Sequence, residues 1–442
     1  MKNKKTIIPI ALIALMVISC VSIVNNAVTT KKEYDSYIKV AQEAEKKQIS
    51  VDVDEAYASA LDVKSNPDAY IQWGSYYSKI GDYNSAIKIG EEALDDFPKN
   101  SNLYAFLMEN YLKVCDYETF FDAYKKSVSL GVTNKKIESL FKKNKYSYTL
   151  EFERYDEAYP FCDGVARVCS VGYAKEGVPC YGYISDMGEI APQFLSAGDF
   201  NGDEVSVAPV VDLSGQAYYI NTEGLKKYVI APKGITVKEL GMYVSGVVPV
   251  FDGTNYYMCN IDSDIIAGPF EFVSTINTDI GAVKQNGQWK LVNQKGKQII
   301  DKTFTDIKLD SKNVAYREGF FAQEDGVYYF YNEKGEKVSN TSFEDAELFL
   351  DGFAAVKNNG KWGFIDHKGN LVIDYKYQDA HSFSNGFAAV KNDGRWGYIR
   401  FDDNTEELVI DYQFDDAVGF SLTSNISLVK IGDQWKILKL YI

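Results

Sequence analysis

The sequence predicts a mixed multidomain protein with an N-terminal membrane anchor (residues 1–30), an α-helical hairpin stack (31–145) and an all-β repeat domain (146–442). Three observations predict this class. A long uncharged run follows the N-terminal lysines, helical spacing of apolar residues then dominates, and the C-terminal part nearly copies itself. At 442 residues, two or more domains are also expected from length alone.

Composition narrows the function classes. Hydrophobic residues make up 46% of the chain, which is enough for globular cores and excludes wholesale disorder. The net charge of −15 argues against nucleic-acid binding, because contact with phosphates needs a basic surface. Only His367 and His381 could support histidine-based acid–base chemistry.

The N-terminal segment predicts a membrane span. Lys2, Lys4 and Lys5 precede residues 6–24, an uncharged run of 19 residues that is just long enough to cross the hydrocarbon core. The basic end is expected to stay in the cytoplasm. The bulk of the chain is therefore predicted to be extracytoplasmic.

Two other interpretations of this segment remain open. Residues 17–20, Val-Ile-Ser-Cys, resemble the lipobox of bacterial lipoproteins, which implies cleavage before Cys20 and acylation of its thiol. Apolar residues continue to Val24, which favours an uncleaved signal anchor over lipidation or simple secretion. All three interpretations predict that the remainder of the chain lies outside the cytoplasm.

The helical region contains one well-defined hairpin, residues 69–98. Its small residues lie where two helices would touch, and a proline follows the second helix. The positions are Gly74, Tyr77, Ala86, Ala93 and Pro98. This pattern resembles a tetratricopeptide repeat, with weaker neighbours at 34–65 and 102–130. Three helix pairs could serve as a spacer or as a peptide-binding groove.

The β region is organised around a near-duplication of residues 351–366 at 385–400, which sets Trp362 and Trp396 34 residues apart. Each copy predicts an apolar strand, an Asn-Gly or Asp-Gly turn, a strand that carries the tryptophan, and a further strand.

The tryptophan position recurs along the whole β region. The series is Tyr181, Ala217, Tyr256, Trp289, Tyr328, Trp362, Trp396 and Trp435, which gives eight units. Four of the five tryptophans occupy this one position. A large aromatic side chain that fills the space between neighbouring sheets would explain the pattern, so we interpret the series as core positions and not as a ligand platform.

Two tripeptides, Lys361-Trp-Gly363 and Arg395-Trp-Gly397, carry a family resemblance. Their flanking motifs are Asp345-Ala346, Asp379-Ala380 and Asp416-Ala417. The β region resembles the bacterial WG-repeat (KWG-repeat) family, clearly from Trp289 onward. The sequence departs from the family pattern at Lys290 and Lys436, which stand where glycine is expected. The resemblance implies a repeat architecture and a cell-envelope location, and it implies no catalytic residue.

The two ends of the β region predict how it closes. The last unit stops after the strand of Trp435, without the strand that follows it in other units. Residues 148–158 align with 370–380, which contain that missing strand. We therefore expect an eight-bladed β-propeller, because pairing the two ends removes both open edges. An open β-solenoid is the alternative.

The candidate chemical sites are few. Cys169 and Cys180 flank one predicted hairpin turn and could form a disulfide outside the cytoplasm, with buried free thiols as the alternative. Residues 198–203 resemble the start of a calcium loop but lack its closing acid. We predict no catalytic residue, no cofactor site and no metal site.

The sequence leaves three functions in competition. The favoured one is a membrane-anchored scaffold that binds an envelope protein or peptide through its repeats. Aromatic hairpins at 253–257 and 325–330 look like glycan-binding repeats, so a cell-wall glycan binder is the alternative. A glycosidase-type enzyme is the least supported, because no spacing pairs two carboxylates. We therefore expect no enzymatic activity.

Overall fold

The computed structural model describes residues 10–151, 155–170, 180–185, 188–202 and 205–442, with only the backbone for 10–26 and 191–192. The chain divides into two compact units. A helical unit comprises Met1–Ser147 together with Tyr441–Ile442, and a β unit comprises Tyr148–Leu440.

The described part of the helical unit contains seven helices. They are α1 Ile10–Lys47, α2 Ser50–Val63, α3 Pro67–Ile80, α4 Tyr83–Asp96, α5 Ser101–Lys113, α6 Tyr117–Ser129 and α7 Lys135–Asn144. Helices α1 and α2, α3 and α4, and α5 and α6 pack as hairpins, and α7 packs on α5. The expected stack of tetratricopeptide-like hairpins is confirmed.

The central hairpin shows why its sequence specifies this packing. Asn66 caps α3 by accepting a hydrogen bond from the Asp68 amide, and Gly81 ends it with φ +87°. Gly74 lies at the contact with α5, where an added Cβ would lie 2.5 Å from a ring carbon of Phe106. Only glycine therefore allows this approach of the two helices.

A repeated tyrosine connects successive hairpins. The Tyr77 hydroxyl on α3 donates to Asp54 on α2 at 2.8 Å, and the Tyr111 hydroxyl on α5 donates to Glu91 on α4 at 2.8 Å. Burial, together with the bond to Asp54, raises the pKa of Tyr77 to about 12, so this hydroxyl remains a donor. The two bonds fix how each hairpin stacks on the one before it.

The β unit consists of eight sheets, called blades 1 to 8 in chain order. The strands of blade 1 are Glu157–Ala158, Val165–Cys169, Tyr181–Ser185 and Gly188–Phe194; those of blade 2 are Ser196–Ala197, Val207–Val211, Ala217–Asn221 and Lys226–Tyr228; and those of blade 3 are Glu239–Leu240, Val248–Phe251, Tyr256–Cys259 and Ile265–Phe270. The strands of blade 4 are Phe272–Val273, Ile280–Gln285 and Gln288–Asn293; those of blade 5 are Phe320–Glu324, Val327–Tyr331 and Lys337–Phe343; and those of blade 6 are Asp345–Ala346, Phe353–Asn358, Lys361–Asp366 and Leu371–Tyr377. The strands of blade 7 are Asp379–Ala380, Phe387–Asn392, Arg395–Asp402 and Thr405–Phe414, and those of blade 8 are Asp416–Ala417, Ile426–Ile431, Gln434–Leu440 and Tyr148–Glu151.

The last blade is completed by the first strand of the β unit. Tyr148–Glu151 pairs antiparallel with Gln434–Leu440, with Tyr148 opposite Leu440 and Leu150 opposite Leu438. The predicted closure is therefore confirmed, and the unit is an eight-bladed β-propeller. The open solenoid is excluded, because a strand from one end of the unit completes the sheet at the other end.

Apolar clusters join each blade to the next around the ring. Between blades 8 and 1, for example, Trp435 and Ile437 pack with Ala158 and Val168. Corresponding clusters connect the successive blades from blade 1 to blade 7. Blades 7 and 8 meet where the Tyr398 hydroxyl donates to the Val418 carbonyl at 2.9 Å. The hydrophobic core thus lies at the interfaces between blades, as the recurring aromatic position of the repeat predicts.

Turn residues repeat the same hydrogen bonds from blade to blade. Asp366 accepts from the amides of Lys368 and Asn370, and Asn293 and Asn332 do the same in blades 4 and 5. Side chains of this kind favour turns because they satisfy backbone donors locally. The turn positions therefore keep the register even where other repeat residues have diverged.

The membrane span and the acylation of Cys20 that the N-terminal sequence suggests remain predictions. Residues 1–9 lie outside the described part of the chain, and α1 begins at Ile10. Among the described residues, no helix is long and apolar enough to cross a membrane. The proposed acylation at Cys20 concerns a side chain that lies outside the described set.

Candidate functional site

The repeat tryptophans are packing residues. Trp362 and Trp396 are only 7% and 4% exposed. Trp362 packs against Phe383 of the following blade, and the Lys357 ammonium lies 5.9 Å from the centre of its ring. Trp289, Tyr328 and Trp435 are equally buried. These side chains therefore present little ring surface to a ligand.

The glycine after the tryptophan has a separate cause. An added Cβ on Gly363 would lie 2.6 Å from the Ile373 carbonyl oxygen, because the outer strand bulges inward beside it. Gly397 meets the same obstacle at Ile410. Lys436 stands at the equivalent position of blade 8, where the facing residues 152–154 lie outside the described part of the chain.

The two candidate disulfide residues lie on adjacent strands. Cys169 faces Tyr181 across the strand pair, and the Ser170 amide donates to the Cys180 carbonyl at 3.2 Å. Both thiols are buried and free in this structure. Burial raises the pKa of the Cys169 thiol. A disulfide between the two stays a prediction.

The calcium-like segment makes an interblade ion pair. Arg167 Nε of blade 1 donates to Asp199 Oδ1 of blade 2 at 2.9 Å, with side chains 13% and 5% exposed. Asp203 lies outside the described residues. Within the described ranges, no three metal-ligating side chains come together. Asp199 therefore joins two blades.

Seven of the eight blades begin with a two-residue edge strand, called the inner strand, and the residue that follows it differs around the ring. In blades 6 and 7 this position holds Glu347 and His381, whose side chains meet at 2.8 Å. In blades 2 and 3 the same position holds Gly198 and Gly241. Blades 2 and 3 therefore carry no side chain at the position where blades 6 and 7 carry an acid and an imidazole.

Two prolines occupy the space beside these glycines. A Cβ on Gly198 would lie 2.7 Å from Pro209, and a Cβ on Gly241 would lie 2.7 Å from Pro249. The carbonyls of both glycines are held by buried tyrosines of the preceding blades, Tyr183 and Tyr219, at 2.6 Å. Burial raises the pKa of both tyrosines far above the usual value, so they remain donors.

A cavity of about 190 Å³ lies along these glycine strands. Its wall includes both glycines, the Arg167–Asp199 pair, Glu239 and residues 311–313. A polar space of this size is large enough for several water molecules or a small solute.

Residues 311–313 come from an insertion in blade 5. Eleven residues separate Ile307 from Gly319, where six separate Ala346 from Phe353 in blade 6. Asp310 holds the tip by accepting from the amides of Lys312 and Val314. The tip reaches across the ring to blades 1 and 2.

The Lys312 ammonium is the part of the insertion that makes this crossing. It donates to Cys162 Sγ at 2.8 Å and to the Phe200 carbonyl at 3.5 Å. No carboxylate of the described residues lies within ion-pair distance of it.

Sequence analysis did not identify this cavity. One signal was present, because the step from Trp289 to Tyr328 is 39 residues where the best copies are 34 apart. The extra residues form the insertion. That the insertion would meet blades 1 and 2 could not be predicted, since the contact depends on ring closure.

The helical-hairpin stack and the ring of blades define the class of the protein, a repeat protein with two units of different kinds. The family model described as "WG containing repeat" matches residues 330–362, 362–396 and 401–435. The chain therefore carries WG repeats, and the resemblance seen at Trp362 and Gly363 is confirmed for this stretch. No curated protein matches the sequence.

Solved structures with similarity to the chain fall into two groups. The β unit is similar to the computationally designed Ika8 protein, with 9% identity, a TM-score of 0.42 and coverage of 66% of this chain and 98% of that chain. The β unit is also similar to the WD40 beta propeller domain of Doa1, with 10% identity, a TM-score of 0.32 and coverage of 66% of this chain and 96% of that chain. The helical part is similar to the Sgt2 TPR domain from Aspergillus fumigatus, with 20% identity, a TM-score of 0.22 and coverage of 25% and 76%.

Proposed function

We propose that the chain is a membrane-anchored extracytoplasmic scaffold that binds protein or peptide partners through its two repeat units. The observation that carries the proposal is the combination, in one chain, of a helical-hairpin stack with a closed eight-bladed ring. Both architectures present extended surfaces on rigid frames, which suits binding. The residues that recur from repeat to repeat pack between blades, so partners are expected to contact the positions that differ between repeats.

The location rests on the N-terminal sequence. The three lysines and the uncharged run at 6–24 support a span with its basic end inside. Protease added to intact protoplasts should therefore remove both folded units. Digestion only after the membrane is disrupted would contradict the extracytoplasmic location.

Binding can be tested with photo-crosslinking residues placed in the full-length chain in cells. We would place them at exposed positions of each unit, Gln72 and Lys79 on α3 and Leu213 and Leu225 in blade 2. A scaffold should give discrete protein adducts that depend on position. Cosedimentation with purified cell wall, without protein adducts, would instead support the glycan-binding alternative.

A further inference from the structure

The cavity between blades 2 and 3 has a free charge at each end. At one end, Glu239 is exposed and has no ion-pair partner among the described residues. At the other end lies the ammonium of Lys312, whose hydrogen-bond acceptors among the described residues are a thiol and a carbonyl oxygen. The Arg167–Asp199 pair between them is already neutralised.

The separation of these charges follows from the strand geometry. Glu239 opens the inner strand of blade 3, at the level of Ser196 in blade 2, whereas Lys312 reaches the Phe200 carbonyl four residues further along. Because an extended chain rises ~3.3 Å per residue, four residues separate the two levels by about 13 Å along the strand direction.

The wall between the charges leaves room beside two edge strands. Ser196–Ala197 and Glu239–Leu240 are edge strands of their sheets, so no further strand among the described residues pairs with them on their open side. The carbonyls of Ala197, Gly198 and Gly241 already accept from Arg167, Tyr183 and Tyr219. An extended peptide would therefore lie beside this edge and be held mainly at its charged ends.

We propose that this cavity binds a short peptide with free termini, its carboxylate at Lys312 and its ammonium at Glu239. An extended chain spans at most ~3.3–3.6 Å per residue, so three residues together with a charge-assisted hydrogen bond of about 2.8 Å match the separation of about 13 Å. Charge-assisted hydrogen bonds at both ends would then select peptides by length and by unblocked termini. This inference concerns the β unit alone and does not depend on the scaffold role or on membrane anchoring.

The test is isothermal titration calorimetry of the full-length chain with tri-alanine, N-acetyl-tri-alanine and tri-alanine amide. Free tri-alanine should bind, and blocking either end should weaken binding about tenfold or more. The E239Q variant should bind free and acetylated tri-alanine equally well but should still bind the amide more weakly. The K312M variant should bind free and amidated tri-alanine equally well but should still bind the acetylated peptide more weakly. E157Q, at the same register in blade 1, and K308M, in the blade that carries the insertion, should behave like the parent.

Several results would overturn the proposal. They are an absence of binding by free tri-alanine, equal affinity for the blocked peptides, or equal losses in E157Q and K308M. Circular dichroism of each variant shows whether it is folded. Since Glu239 is exposed and Lys312 lies at the tip of an insertion, both substitutions should leave the fold intact.

Discussion

Blades 6 and 7 and blades 2 and 3 have the same strand order and the same pairing pattern, yet their inner positions differ. Where Glu347 and His381 fill the space between blades 6 and 7, Gly198 and Gly241 leave a cavity between blades 2 and 3. The blade frame therefore tolerates either solution. Variation at this position changes the shape and charge of the inner wall without changing the blade fold.

A second difference concerns the bulge of the outer strand. Blade 6 accommodates it with Gly363 on the tryptophan strand. Blade 3 has Tyr257 at that position and instead carries Gly268 on the outer strand, where an added Cβ would lie 2.9 Å from the Tyr257 ring. The close approach must be relieved, but either strand can provide the glycine.

Ring closure should have the largest effect, because the first strand of the β unit completes its last blade. Deleting residues 437–442 removes most of the partner of Tyr148–Glu151. We expect loss of hydrogen-exchange protection throughout Tyr148–Glu151 and destabilisation of blade 1. Deletion of Tyr441–Ile442 alone is the control, since these residues belong to the helical unit. Unchanged exchange in the longer deletion would contradict the closure.

The next effect concerns the tryptophan position of the repeat, which holds Trp396 in blade 7 and Ala217 in blade 2. Trp396→Ala should lower the free energy of unfolding by about 3–5 kcal/mol, because it opens a cavity between blades. Blade 2 already has Ala217 there, and it is 5% exposed, so Ala217→Trp should cost about 1–3 kcal/mol by overpacking. Urea unfolding followed by circular dichroism measures both. Leu408→Ala, at a 43% exposed site, should change it by no more than about 0.5 kcal/mol.

A smaller effect is expected at the glycine of the repeat. Gly363→Ala places a Cβ against a backbone oxygen that cannot move freely and should cost about 1–3 kcal/mol. Lys436→Ala, at the same position of blade 8, should stay within about 0.5 kcal/mol. The same urea assay applies. Equal costs at both sites would show that the bulge does not explain the glycine.

The sequence predicted the ring but not its cavity, for physical reasons that particular residues illustrate. The period from Trp362 to Trp396 and the alignment of residues 148–158 with 370–380 reflect local strand and turn chemistry, which is visible in the chain. The meeting of Lys312 with Cys162 joins residues 150 positions apart. Such a contact depends on the closed three-dimensional ring and leaves no periodic signal.

The smallest expected effect is a pH dependence of stability. It arises where Glu347 and His381 follow the inner strands, and it is absent where Gly198 and Gly241 stand at the same position. Burial favours neutral His381, but the adjacent Glu347, with Asp379 and Asp416, outweighs it and raises the His381 pKa to about 9. Since this is above the unfolded value of about 6.5, the pair stabilises the fold fully below pH 6.5, and the gain disappears as the pH rises through 9. The two side chains are 38% and 35% exposed, so the gain should be only about 1 kcal/mol after screening. Glu347→Gln should remove this part of the pH dependence, measured as the difference in urea unfolding between parent and variant from pH 6 to 9.5. If parent and variant lose stability in parallel over that range, the Glu347–His381 pair contributes packing alone, and the filled and empty inner positions differ in shape but not in electrostatics.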